Sequence, residues 1–390
     1  MSLDINSILN PVVRDIPPSG IRKFFDIAAE MDDAISLGVG EPDFVTPWHI
    51  RDEGIYSLEK GMTYYTSNAG LKELRAEICA YLNRRFSLSY DPLTQVLVTV
   101  GGSEAIDLCI RSIIQNGDEV IIPEPCFVCY KPITQLAGGV PVTIETKAEN
   151  DFRLTADELR SAITPNTKLL ILPFPNNPTG GIMSCSDLYE LAEVLHGTDI
   201  IILADEIYAE LTYGEEKHFS IAQIPEMYER TVLVSGFSKA YAMTGWRLGY
   251  ACGHPALIKA MTKVHQFAIM SAPTTAQYAA IEALKNGDDD IEMMRAEYDM
   301  RRRVIVQGFN DMGLSCFEPK GAFYAFPCIK STGLSSDEFC ERCLCEKKVA
   351  VIPGNAFGSS GEGFIRCSYA YSIENINEAL NRIEAFVKHR

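Results

Sequence analysis

Basic side chains are in short supply. The 390-residue chain sets 35 Lys and Arg against 52 Asp and Glu, a formal net charge of −17. Nucleic acid is held chiefly by cations that neutralise phosphates, so no nucleic-acid partner is expected. Long apolar runs are missing as well. None approaches the ~18 residues that a membrane span needs, so no membrane partner is expected either. The first residues, Met1 to Ile5, lack the basic-then-apolar pattern of a secretory leader. The twelve cysteines are therefore read as reduced thiols of a cytoplasmic protein. Cys126 and Cys129 form a C-x-x-C, and Cys340, Cys343 and Cys345 cluster later, but neither group has the partner pair that a zinc tetrad requires. No metal is expected. Internal repeats and low-complexity linkers are absent too.

What remains is an ordinary globular composition, 47% apolar and 22% charged. At about 150 residues per domain, the length suggests two or three domains, or one large domain with a lobe. Between residues 95 and 235 short apolar runs alternate with helical patterns. Strands are expected at 96–100, 119–122, 168–172, 200–204 and 231–234, and helices at 103–115 and 186–196. The runs are apolar almost throughout rather than alternating, which fits parallel strands covered on both faces. The expected fold class is α/β with a mostly parallel central sheet. Beyond residue 290 the order changes. A charged amphipathic helix is expected at 291–312, another helix at 337–347, strands at 322–326 and 363–368, and a terminal helix at 373–388. That mixture reads as a smaller α+β lobe. The first 45 or so residues, with Pro11, Pro17, Pro18 and Gly20, read as an arm packed on it.

In open α/β sheets ligands gather beyond the carboxyl ends of the strands. The polar residues of interest fall there: Gly101, Gly102 and Ser103 after the first run, Asp205 and Tyr208 after the fourth, Lys239 after the fifth. Small residues crowd Lys239 within 235–249, and Arg247 lies eight positions on. A lysine held in a partly dry pocket loses its proton readily and becomes an amine nucleophile toward carbonyls. A nearby arginine suits a phosphate, as does a glycine-flanked helix start such as Gly102-Ser103.

With these residues in view, the segment 235–249 resembles the Schiff-base signature of fold-type-I pyridoxal-phosphate enzymes of the class I/II aminotransferase family. Leu37-Gly38-Val39-Gly40-Glu41-Pro42-Asp43-Phe44, Tyr64-Tyr65-Thr66-Ser67-Asn68-Ala69-Gly70, Pro175-Asn176-Asn177-Pro178-Thr179-Gly180 and Ala204-Asp205-Glu206-Ile207-Tyr208 resemble further family blocks, in the same order, from about residue 30 to the C-terminus. The resemblance implies pyridoxal 5'-phosphate as cofactor. It makes Lys239 the lysine that forms the internal aldimine and moves the proton, Asp205 the partner of the ring nitrogen, and Tyr208 and Asn177 partners of the phenolic oxygen. Gly102, Ser103, Ser238 and Arg247 become the phosphate cup, and Phe127 the ring stacked on the cofactor. Cys126 departs from the family pattern, in which an aromatic residue precedes that ring. Arg366 becomes the clamp for the substrate α-carboxylate, helped by Asn177 and the backbone of Gly40. Tyr65 is implied to reach the phosphate of a neighbouring subunit, so a homodimer with shared sites is expected. The implied domains are 1–48 (arm and part of the small domain), 49–286 (large cofactor-binding domain) and 287–390 (small domain). Residue-level alternatives stand beside these roles: a helix N-cap for Asp205, core packing for Tyr208 and Phe127, and turn chemistry for Asn177.

One fold of this kind supports several reactions. The 40–44 and 243–247 blocks resemble the aspartate, aromatic and alanine aminotransferase branch. The expected reaction is therefore ping-pong transfer of an amino group from an L-amino acid to a 2-oxo acid, with 2-oxoglutarate the expected acceptor. A carbon–sulfur lyase of the same fold is the alternative. A cofactor-sensing regulator is the remote one, since no basic extension offers a DNA-binding module.

Overall fold

Residues 4–21, 31, 33–215 and 217–388 are described by the computed structural model. The chain first forms a two-residue strand, β1 (Ile35–Ser36), and then lays down a seven-stranded sheet from β2 (Val96–Thr99), β3 (Glu119–Glu124), β4 (Val140–Glu145), β5 (Thr167–Leu172), β6 (Ile201–Asp205), β7 (Thr231–Gly236) and β8 (Gly249–Cys252). Their order is β2-β8-β7-β6-β5-β3-β4. All five apolar runs expected as strands lie in it. Val96–Val98, Val120–Ile122, Leu169–Ile171 and Val232–Val234 are almost wholly shielded from water, as strands covered on both faces must be.

Two strands lie outside the expected runs. β4 carries Pro141 and pairs only with β3, an edge position where a proline's missing N–H is tolerated. β8, Gly-Tyr-Ala-Cys, has no β-branched residue to announce it; its pairing with both β2 and β7, antiparallel to each, comes from tertiary packing. Because β8 is antiparallel to two neighbours, β2 still runs parallel to β7. The carboxyl ends of β2, β7, β6, β5 and β3 thus open on one edge. Asp205 of β6 pairs with Val234 of β7, which places Asp205 and the segment leading to Lys239 side by side.

The helix after β2, Gly102–Ile113, packs Ala105, Ile106, Cys109 and Ile110 into a core with β3, β5 and β7 residues. Helix Cys185–Leu195 starts at Ser184, whose side chain accepts from the Asp187 N–H while the Asp187 carboxylate takes the Ser184 N–H.

A second core gathers Leu37, Phe309, Phe323, Phe339, Ile365 and Phe386. Around it stand the 24-residue helix Asp288–Asp311, helix Ser336–Lys347, and helix Ile373–Lys388. A small antiparallel sheet completes it, built from β9 (Tyr324–Ala325), β11 (Ile352–Pro353) and β12 (Ile365–Ser368) in the order β11-β12-β9; β10 (Val349–Ala350) pairs in parallel with β1. The N-terminal arm meets the expectation only in part. β1 and Leu37 join this C-terminal core, with Ile21, Met31 and Phe44 packed against it, but the short helices Ile5–Ile8 and Pro11–Asp15 bury no residue; residues 22–30 of the arm lie outside the described residues. None of the described helices is long and apolar enough to cross a membrane.

Candidate active site

The strand edge opens into a cavity of about 360 Å³. Gly40, Gly102, Ser103, Phe127, Asn177, Asp205, Tyr208, Ser238, Lys239, Arg247 and Arg366 all line it. Every site residue expected from the sequence is there except Tyr65. That ring is 82% exposed and stands apart from the lining.

Asp205 ends β6 at the cavity floor. Its carboxylate accepts the Tyr130 hydroxyl at 2.7 Å and the Ile207 N–H at 3.2 Å. Burial drives its pKa up to about 6, although both hydrogen bonds and Lys239 pull it down. Asp205 does meet a nearby N–H, as a capping residue would, but no helix follows. Residues 206–211 form turns, with Ala209 N–H on Glu206 O and Leu211 N–H on Tyr208 O. The helix that the N-cap reading of Asp205 requires is therefore not formed: the Glu206 N–H is drawn back to Val234 O in the sheet ladder. Tyr208 still faces the cavity, its hydroxyl 2.7 Å from that of Tyr324.

Lys239 follows β7 by three residues. Its Nζ donates to the carbonyl of Gly40 at 2.5 Å. Burial lowers the amine's pKa to about 8. Arg366 and Arg247 push it the same way, and Glu41 and Asp205 oppose them. Gly40 contributes by having no side chain: a Cβ there would lie 2.5 Å from the Tyr324 hydroxyl oxygen.

The helix Gly102–Ile113 opens without a side-chain cap, after Gly101 at φ +79°. Its first residues, Gly102 and Ser103, line the cavity together with Ser238 and Arg247, and the unpartnered N–H groups of a helix start are a natural seat for an anion. A Cβ on Gly101 would sit 2.7 Å from an Arg247 nitrogen. Arg247 itself is held at φ +52°, its Nη1 donating to Thr244 O at 3.0 Å. Behind the turn Glu104 accepts the Val100 N–H at 2.5 Å and pairs with buried His265 at 2.7 Å, which anchors strand end to helix start.

Arg366, on β12, closes the opposite end. One guanidinium nitrogen donates to Asn177 Oδ1 at 3.0 Å and another to the Gly38 carbonyl, while Nε is buried with no partner. The cation lies between the rings of Tyr324 and Phe357, at 4.6 and 4.7 Å. The turn chemistry of 175–180 falls to the other asparagine: Asn176 Oδ1 accepts from the N–H and hydroxyl of Thr179, which leaves Asn177 free to face Arg366.

Phe127 meets Tyr130 edge-on at 6.1 Å between centroids. Sequence reasoning missed Tyr130 and Tyr324, both lining the cavity and both buried. An aromatic residue inside an apolar stretch reads as core, and no local signal separates one whose hydroxyl faces a site. All twelve cysteines stand unbridged.

A partly buried amine poised near neutrality, a buried carboxyl, an anion cradle and an arginine with an unfilled donor thus share one chamber. They fit the aldehyde, ring nitrogen and phosphate of pyridoxal phosphate, together with a substrate carboxylate. The model of the aminotransferase class I and II family matches residues 32–383. The chain belongs to this family. The aminotransferase is 56% identical to the Bacillus subtilis (strain 168) protein YugH, itself only provisionally described as an aminotransferase, over 98% of this chain and 99% of that one. It is 46% identical to an aspartate aminotransferase of Pyrococcus abyssi over 96% and 97% of the two chains. Among solved structures it superposes on the aromatic aminotransferase of Pyrococcus horikoshii OT3 with a TM-score of 0.91, at 43% identity, covering 95% of this chain and 99% of that one. It is thus a pyridoxal-phosphate-dependent enzyme of fold type I, and its reaction is amino-group transfer.

Proposed function

We propose that this aminotransferase moves the amino group of an L-amino acid to a 2-oxo acid, with 2-oxoglutarate as acceptor, in a ping-pong cycle centred on Lys239. The observation that carries the reading is the position of the Lys239 amine, partly buried in the cavity that Asp205 and Arg366 also line, with its pKa brought down to about 8. Pyridoxal phosphate, when bound, supplies a carbonyl that takes up the amino group and a ring that withdraws electrons from the substrate Cα. Asp205 would hold the ring nitrogen; a cation placed there draws the carboxyl's pKa back down and keeps it ionised. Tyr208 and Asn177 would face the phenolic oxygen. Gly102, Ser103, Ser238 and Arg247 would hold the phosphate, and Phe127 would cover the ring. Arg366 would grip the α-carboxylate, with its partnerless Nε as the open donor and the Gly40 backbone beside it. That grip sets which Cα bond faces the ring. An amine near neutrality suits proton transfer at Cα, because it spends time in both protonation states.

The donor side chain belongs to the range named for the relatives, aspartate to aromatic. We further propose a cytoplasmic homodimer with shared sites, divided into domains at 1–48, 49–286 and 287–390. Tyr65 would reach the partner's phosphate. Its loop is braced for presentation, with Thr274 Oγ1 donating to Tyr64 O at 2.7 Å and Asn68 Nδ2 to Met270 O at 2.8 Å.

The test uses purified holoenzyme and amino acid alone. Stoichiometric oxo acid, with cofactor converted to its amine form, is the expected outcome. Catalytic pyruvate and ammonia would instead establish elimination. Borohydride should fix cofactor to the wild-type chain at residue 239 and to nothing in Lys239→Ala.

A further inference from the structure

Tyr324 is wholly buried on β9 and contacts both Tyr208 and Arg366. Its hydroxyl is 2.7 Å from that of Tyr208. Its ring face lies 4.6 Å from the Arg366 guanidinium, and its hydroxyl leaves room for no side chain at residue 40. A tyrosine hydroxyl carries one proton and two acceptor positions. If Tyr208 gave its proton to Tyr324, it would have none for a ligand oxygen. If Tyr324 donates instead, the Tyr208 proton is left for the cavity. The charges favour the second arrangement. Burial raises the pKa of both hydroxyls, that of Tyr208 further than that of Tyr324; Arg366 pulls both back toward acidity, and it is the Tyr324 ring that its guanidinium overlies. A more acidic hydroxyl is the better donor, and donation in series strengthens each bond.

We propose that Tyr324 is a positioning residue that serves both halves of the reaction: its hydroxyl turns the Tyr208 proton toward the cofactor's phenolic oxygen, and its ring seats Arg366 for the substrate carboxylate. The inference rests on the roles given above to Tyr208 and Arg366. The groups facing this pair are Arg366, Lys239 and Asp205; each remains in place in the variants that test it.

The measurement is the pH titration of the bound cofactor's visible absorbance in holoenzyme. A hydroxyl donating to the phenolic oxygen favours its anionic form, so losing that donation moves the midpoint up. Tyr324→Phe keeps the ring and removes only the hydroxyl. The expected result is an upward midpoint shift of about a few tenths of a pH unit, smaller than that of Tyr208→Phe, with KM for amino acid within about twofold of wild type. The double variant should shift no further than Tyr208→Phe alone. Tyr324→Leu, which also removes the ring, should raise KM for amino and oxo acid about tenfold. If Tyr208→Phe moves the midpoint and Tyr324→Phe does not, the inference falls while the function proposed above stands. If neither moves it, the role given to Tyr208 falls, and the inference with it. An unchanged KM in Tyr324→Leu would remove the ring's part.

Discussion

Asp205 and Lys239 both occupy environments that oppose their charged forms. Burial raises the carboxyl to about 6 and lowers the amine to about 8. The consequences for stability follow from proton counting. For Asp205 the folded pKa lies above the usual 3.8, so the empty protein binds the extra proton between about 4 and 6 and loses stability as pH rises through that window. For Lys239 the folded pKa lies below 10.5, so the unfolded chain binds more protons between about 8 and 10.5 and stability is recovered as pH rises there. Near neutrality both groups therefore cost stability in the absence of cofactor, which is the usual cost of a reactive site. Asp205→Asn should raise the Tm of cofactor-free protein at pH 7–8 by about 2–4 °C and leave it unchanged at pH 4. It should also abolish most of the stabilisation that added cofactor confers. Differential scanning fluorimetry with and without cofactor measures both effects, and a lower Tm of the empty variant at pH 7–8 would contradict them.

At the scale of elements, the anion seat depends on how closely β8 approaches the start of helix Gly102–Ile113. A Cβ on Gly249 would lie 2.6 Å from the Gly101 carbonyl carbon and the Gly102 nitrogen. Those are backbone atoms and cannot swing aside as a side chain would. Gly249→Ala should therefore displace the helix start, destabilise the fold by about 1–3 kcal/mol and weaken cofactor binding at least tenfold. Gly245→Ala is the control, since a Cβ there meets nothing within 4 Å. Equal cofactor affinity in the two variants, read by equilibrium dialysis, would show that the close approach is dispensable.

For the whole molecule the decisive question is whether a second copy of the chain completes the site. Tyr64 and Tyr65 are each 82% exposed, a costly display of aromatic surface unless a second copy covers it. Chains carrying Tyr65→Phe and chains carrying Lys239→Ala, mixed 1:1 after dissociation, should regain about a quarter of wild-type activity if Tyr65 acts across the interface, since about half the dimers are then hybrids with one intact site of two. Activity no higher than that of the separate variants would place both residues in one subunit's site.

Much of this protein was legible in one dimension because its signals are local. Five buried strands announced themselves by unbroken apolar runs, and glycine, asparagine and lysine at their carboxyl ends marked the site, since backbone reach and turn chemistry depend on immediate neighbours. The sequence by itself determined the fold class, the family and most of the chamber's lining. Three-dimensional packing alone decided the rest. It threaded β8 antiparallel into a parallel sheet, replaced the expected helix after Asp205 with turns, split the paired asparagines between turn and site, and brought Tyr130 and Tyr324 to the cavity with their hydroxyls on Asp205 and Tyr208. The reason is physical: contacts between residues 75 or 116 positions apart carry no periodicity along the chain, so their energy exists only once the strands have met.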